Sequence, residues 1–335
     1  MAIEENAAVA PDPAPRSGFM QSRLFGVLRI VVTAAIVAGL IYRLSPGDIV
    51  DTIRHADVAL LLAALGLMFA TQALVVSKWA TLLRARNVRP SLLLVARTYC
   101  TSTLVGTVLP TAVGGDVYRV YRLQREPGIR AADVTMSVLY DRATGYAAMT
   151  CIGALGAAFY FGAVWIGVLA LAGGAVAALI LMLVLPRLPF PVLREGHVLR
   201  NLLSHRGELI VVYQMVLFSL LIQVLYISSI TIAGRAFGAH VSWWYWAFAT
   251  WVVALAVLLP VTIGGLGLRE SGYSALIKHA GGTAAQGAST GFALALLLVA
   301  ANSVGLVLIT IAERNATRSA ARSRLDSAEP VRPKA

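Results

Sequence analysis

The sequence predicts an all-α fold: a polytopic membrane helix bundle of about six full spans plus two re-entrant helical hairpins related as an inverted repeat. Three observations predict it. The chain is 58% hydrophobic and only 13% charged, with a mean hydropathy of +0.76, whereas soluble domains run near a quarter charged. Its apolar residues fall into runs at 24–43, 58–77, 91–109, 133–162, 163–185, 208–233, 243–262 and 286–312, each about as long as, or longer than, the roughly 20 residues that cross a hydrocarbon core of about 30 Å. Its basic residues gather between those runs in a pattern that plain serial crossing does not satisfy.

Residues 1–22 are rich in Ala and Pro and read as a disordered tail on the cytoplasmic side. The run Leu24–Tyr42 is long for a signal-peptide core, carries Arg29 and lacks a small-x-small cleavage site, so it is expected to be an uncleaved first helix. Ser45-Pro46 is a good helix start, and Ile49, Val50 and Ile53 fall on one face, which predicts an interfacial helix over 45–57. The bundle is expected to occupy 23–313, followed by a basic disordered cytoplasmic tail over 314–335.

Four stretches are basic: 78–90 (Lys78, Arg84, Arg86, Arg89), 119–130 (Arg119, Arg122, Arg125, Arg130), 187–206 (Arg187, Arg194, Arg200, Arg206) and the tail (Arg314, Arg318, Arg322, Arg324). All four should face the cytoplasm by the positive-inside rule. Eight plain crossings put some of them outside. The conflict disappears if 91–125 enters from the cytoplasm and returns, and 243–280 does the same from the other side. Both termini are then cytoplasmic.

Those two segments share a pattern. Leu109-Pro-Thr-Ala-Val-Gly-Gly-Asp-Val-Tyr-Arg119 and Leu259-Pro-Val-Thr-Ile-Gly-Gly-Leu-Gly-Leu-Arg269 are both L-P-x-x-x-G-G-x-x-x-R. Pro110 with Gly114 and Gly115, and Pro260 with Gly264, Gly265 and Gly267, should break a helix and leave backbone groups unpaired. At membrane depth this is tolerated only inside protein or beside a polar cavity. Gapped helices in corresponding places of two halves point to a midplane transport site. Helix N-termini expected at Gly115 and Gly265 would offer N–H donors to an anion.

Arg119 and Arg122 lie one turn apart, as a phosphate or carboxylate would need, or as arginines that hold topology. Asp116 is either a helix-start carboxylate or a group handling substrate or protons. Asp141 and Arg142 are adjacent, so each should pair with another helix, and Asp141 with Arg119 is one such pairing. Arg269 and Glu270 flank the second break. Thr98, Thr101, Ser102, Thr103 and Thr107 either line a cavity or bond back to their helix. Gln214, Gln223 and Asn302 read as interhelical glue, and Trp243–Trp246 as an interfacial belt.

Other classes are excluded or lack a signal. A net charge of +12 implies nucleic acid only on a water-exposed domain, which is not evident. Cys100 and Cys151 have neither disulfide nor metal spacing. No catalytic set, metal cluster, cofactor motif or phosphate-binding loop stands out, so no catalytic or metal residue and no cofactor is assigned.

At the residues around the two breaks the chain resembles the membrane region of lysylphosphatidylglycerol synthase, also found as stand-alone flippase-like proteins. The resemblance rests on Leu109-Pro110 followed by Gly115-Asp116-Val117-Tyr118-Arg119, on Arg142 downstream, and on Gly264-Gly265-Leu266-Gly267-Leu268-Arg269-Glu270. It covers about residues 20–315. Ile263 stands where a proline is frequent, and Gly145 where an acid is expected, with Asp141 as a substitute. The soluble aminoacyl-transferase domain of the fused enzymes has no counterpart, so synthase activity is not expected. The resemblance implies a bacterial inner-membrane protein that moves a lipid with an anionic or phosphate-containing headgroup between leaflets or membranes. The alternative is an integral-membrane enzyme or accessory subunit for a lipid-linked substrate, with a soluble lipid-modifying enzyme as partner. Oligomeric state is not legible.

Overall fold

Lipid offers a backbone no hydrogen-bond partners, and a helix satisfies its N–H and C=O groups within the segment. The computed structural model describes residues 46–108, 114–162, 165, 167–168, 206–258, 262 and 265–328. Among them are nine helices: α1 (Pro46–Arg54), α2 (Val58–Ala85), α3 (Leu92–Val108), α4 (Gly114–Leu123), α5 (Ala131–Phe161), α6 (Arg206–Ala236), α7 (Trp243–Leu258), α8 (Leu268–His279) and α9 (Ala284–Ala328). Four segments are long and apolar enough to cross a membrane: α2, α5, Tyr213–Ala236 of α6 and Ala284–Asn315 of α9. They fall on the expected spans 58–77, 133–162, 208–233 and 286–312. The protein is a polytopic helix bundle.

The expected spans 24–43 and 163–185, the loop between 187 and 206 and the N-terminal tail lie almost wholly outside the described residues. So do Leu109, Pro110, Leu259, Pro260 and Gly264.

Local chemistry sets the helix ends. Asp57 caps α2 by accepting from the N–H groups of Ala59 and Leu60 at 2.9 and 3.1 Å. Thr283 and Gln286 form a reciprocal capping box at the start of α9. Gly162 ends α5 in the left-handed region, with φ +66°. Two ends depart from expectation: α2 continues past Ser77 to Ala85, and α9 continues past 313 to Ala328.

α3 and α7 have 17 and 16 residues, so each reaches only about 24–26 Å, less than a hydrocarbon core. Each is followed by a helix that folds back along it. In the first pair a Cβ on Gly115 would lie 2.5 Å from the Ser102 carbonyl oxygen, while Arg119, one turn on, reaches Ser102 and Tyr99. In the second, Gly265 meets Val257, Gly272 meets Val253, and the Tyr245 hydroxyl donates to the Leu276 carbonyl at 2.7 Å. Partner numbers fall as helix numbers rise, so both returns are antiparallel. α8 begins at Leu268 rather than near Gly265, because Gly265 and Gly267 both take positive φ (+75° and +78°) and hold the turn open three residues longer.

Each folded-back pair has its own core. Around α7 and α8 gather Met68, Ile227, Ile230, Tyr245, Trp246, Val253, Tyr273, Ile277 and Leu297. Around α3 and α4 gather Val76, Trp79, Leu83, Val95, Leu123, Val134 and Val138. In lipid, burial gives little drive between helices, so close packing must supply it. Gly153 and Gly156 let α5 approach Trp251 and the Trp244 carbonyl on α7, and Gly287 and Gly291 let α9 touch the backbone of α8.

The aromatic block at the start of α7 corrects the interfacial-belt reading. Tyr245 and Trp246 are fully buried, Trp246 against Gly234 and Tyr273, whereas Trp244 is exposed. Four consecutive residues cannot share one face of a helix with 3.6 residues per turn. Val50 and Ile53 of α1 are both exposed.

Candidate functional site

Five charged side chains meet where α4 folds back on α3 against α2 and α5. The close approach depends on Gly115, which has no room for a Cβ beside Ser102. Asp116 sits in the first turn of α4, where a carboxylate interacts favourably with the helix dipole. Arg119 follows one turn later, with its Nη1 3.9 Å from Asp116 Oδ1.

Arg119 is held on every side. Its Nε donates to Ser102 Oγ at 3.0 Å and its Nη1 to Asp141 Oδ2 at 3.2 Å. Its guanidinium lies 4.2 Å from the Tyr99 ring centre and 5.2 Å from that of Trp79, a cation–π setting strengthened by desolvation. Trp79 is fixed in turn by donating from Nε1 to Ser137 Oγ at 3.1 Å. Asp116 and Arg119 are each 7% exposed.

Asp141 bridges two cations. Lys78 Nζ lies 3.0 Å from its Oδ1 and 3.0 Å from its backbone carbonyl oxygen. Lys78 is only 2% exposed, so the ion pair is shielded from water. On the other side, Arg142 Nε donates to Asp116 Oδ2, and its Nη1 lies 3.4 Å from the Tyr146 hydroxyl. The adjacent residues Asp141 and Arg142 thus pair not with each other but with separate partners, Asp141 with Lys78 on α2 and Arg119 on α4 and Arg142 with Asp116 on α4.

Lys78, Arg119 and Arg142 are set against Asp116 and Asp141, three cations against two carboxylates. The excess charge lies toward Arg142, whose side chain is 40% exposed while those of the other four are 11% or less. Arg142 is thus the member of the cluster that an anion arriving from outside would meet first.

The remaining predicted residues divide. Arg122 points to the end of α4 and pairs with Glu126 at 2.7 Å, with both side chains about one-third exposed, so it does not share a site with Arg119. Gly114 and Gly115 open α4 at the cluster. Gly265, Gly267, Arg269 and Glu270 belong to the second break, where no ring of cations like that of the first break occurs among the described residues. Its register partner for Asp116 is Leu266, an exposed apolar residue. Arg269 is half-buried and lies within electrostatic reach of Tyr226 and Tyr273. Ser102, Thr103 and Thr107 bond back to carbonyls of their own helix, and only Ser102 also serves the cluster. Gln223 reaches the Gly145 carbonyl on α5 at 3.4 Å, Asn302 bonds within α9, and Gln214 is exposed. No group of His, Cys, Asp and Glu suited to a metal occurs among the described residues.

Lys78 is the member that sequence reasoning missed. Charge alone places it in a cytoplasmic loop, because a lysine normally closes a span. The available signal was the stretch Trp79-Ala-Thr-Leu-Leu83 behind it, which continues the apolar run beyond the lysine.

The chain matches none of the curated proteins. Residues 26–308, most of the 335, match the family model described as the lysylphosphatidylglycerol synthase TM region. The helical bundle, its four long apolar helices and this match agree, and the chain belongs to the lysylphosphatidylglycerol synthase transmembrane-region family of multi-pass integral membrane proteins.

Proposed function

We propose that the protein moves a lipid with a phosphate-containing headgroup across a bacterial inner membrane. The two folded-back pairs α3–α4 and α7–α8 act in it as re-entrant hairpins of an inverted repeat, with both termini cytoplasmic. The observation that carries this reading is the five-charge cluster at the first break. Charged groups at membrane depth are costly and usually mark a substrate path. Among the described residues three cations face two carboxylates, and the most exposed of the five side chains is Arg142, at 40%. A headgroup phosphate would take charge-assisted hydrogen bonds from that guanidinium. Arg119, engaged by a carboxylate, a hydroxyl and two rings, positions the cluster instead of binding the headgroup. The chain itself performs no covalent chemistry in this reading, and a soluble lipid-modifying enzyme would act before or after it.

The test is translocation of a headgroup-labelled phospholipid in proteoliposomes. Losing one hydrogen bond to a charged group costs about 1.5–3 kcal/mol, so Arg142→Gln should slow transport about ten- to a hundredfold. Equal rates for wild type and a folded Arg142→Gln protein would refute the assignment.

A further inference from the structure

The second break holds a carboxylate that is only half used. Glu270, in the first turn of α8, is 6% exposed. Its Oε2 accepts the Gly267 N–H at 2.7 Å and so caps the helix. Its Oε1 is out of contact with solvent and has no hydrogen-bond partner among the described residues. A cap needs one oxygen, so the second is unexplained by that role, and a buried acceptor left unmade costs about 1–3 kcal/mol.

The surroundings concentrate this demand. The turn carrying Gly265 and Gly267 rests on Val257 in the last turn of α7. α9 closes the other side, where a Cβ on Gly291 would come within 3.1 Å of Glu270 Cα. The charged and titratable groups facing this region are Arg269 beside Glu270, Tyr273 one turn on, and Tyr226 from α6. α7 contains no charged residue, and α9 contains none before Glu313. Unwound backbone and helix ends at such breaks are where secondary transporters hold their coupling ions.

We propose that Glu270 Oε1, beside the Gly265–Gly267 turn, binds a small monovalent cation, a sodium ion or a proton, which couples to the transport cycle. This rests on the transport reading, but its test reads binding alone. The purified full chain in detergent is melted while tryptophan fluorescence is followed. One series replaces choline chloride by sodium chloride at constant ionic strength. A second, in choline chloride only, varies pH.

In wild type the melting temperature is expected to rise saturably in one of the two series. A sodium response assigns the site to sodium, and a response to pH alone assigns it to a proton. Glu270→Gln keeps a carbonyl for the Gly267 N–H, so it should stay folded and lose that response. Should it not fold, Glu270→Asp withdraws the oxygen by one methylene and should weaken the apparent affinity by about tenfold or more. The proposal is overturned if wild type responds in neither series, or if the variants respond as wild type does. Either result leaves the headgroup assignment at Arg142 standing, and loss of transport in Arg142→Gln leaves this site untouched.

Discussion

Replacing Asp141 by Asn should do more damage than any other single change in the charged cluster. The substitution preserves size but removes the charge that faces Lys78 at 3.0 Å and Arg119 at 3.2 Å. Both cations have side chains less than one-tenth exposed, so water cannot replace the lost partner. The carboxylate left near Arg119 among the described residues is Asp116, at 3.9 Å. Removing one partner from a buried pair typically costs about 3–5 kcal/mol. The charge count falls from three cations against two carboxylates to three against one. Adding Lys78→Met returns the excess to a single cation, two against one, with a side chain of similar length. The cost of the single change comes from buried cations left without their carboxylate, and Lys78→Met removes one of the two so left. The double variant should therefore be more stable than Asp141→Asn alone. The assay is thermal unfolding of the purified protein in detergent, followed by tryptophan fluorescence, with Trp79 lying inside the cluster. If Asp141→Asn melts with wild type, or if Lys78→Met deepens the loss, the cluster is not held by the charge balance described.

Three further outcomes follow from the same geometry. Gly115→Ala places a Cβ 2.5 Å from the Ser102 carbonyl oxygen and should cost about 1–3 kcal/mol through overpacking, measured by the same melt. Gly145→Ala has nothing within 4 Å of its new Cβ and should be neutral or stabilising by up to about 1 kcal/mol, serving as the matched control. Breaking the half-exposed Arg97–Glu313 pair, at 3.0 Å, should shift stability by no more than about 1 kcal/mol, with the difference fading at high salt.

The sequence made the long helices legible because lipid forces the relation between an apolar run and a span. The breaks were legible as well, since proline and paired glycines have few roles inside an apolar stretch. What escaped depended on contacts between distant segments. α2 passes through Lys78 only because Asp141, 63 residues away, supplies both a carboxylate and a carbonyl. Tyr245 and Trp246 look like interfacial residues until Gly234 opens a slot for the indole. The eleven-residue repeat suggested equivalent breaks, yet Arg119 lies in a ring of partners while the acid of the second break, Glu270, has no counterpart at the corresponding Val120. The Arg119–Asp141 pair was anticipated. Asp116 with Arg142 was not, because nothing local to either residue announces the other.

The most direct measurement is an experimental structure of the protein in lipid, read for density at the first break. The account predicts a headgroup phosphate within hydrogen-bond distance of Arg142, with Arg119 still bonded to Ser102 and Asp141 behind it. Headgroups confined to the outer surface of the bundle, with Arg142 turned away from every phosphate, would contradict it.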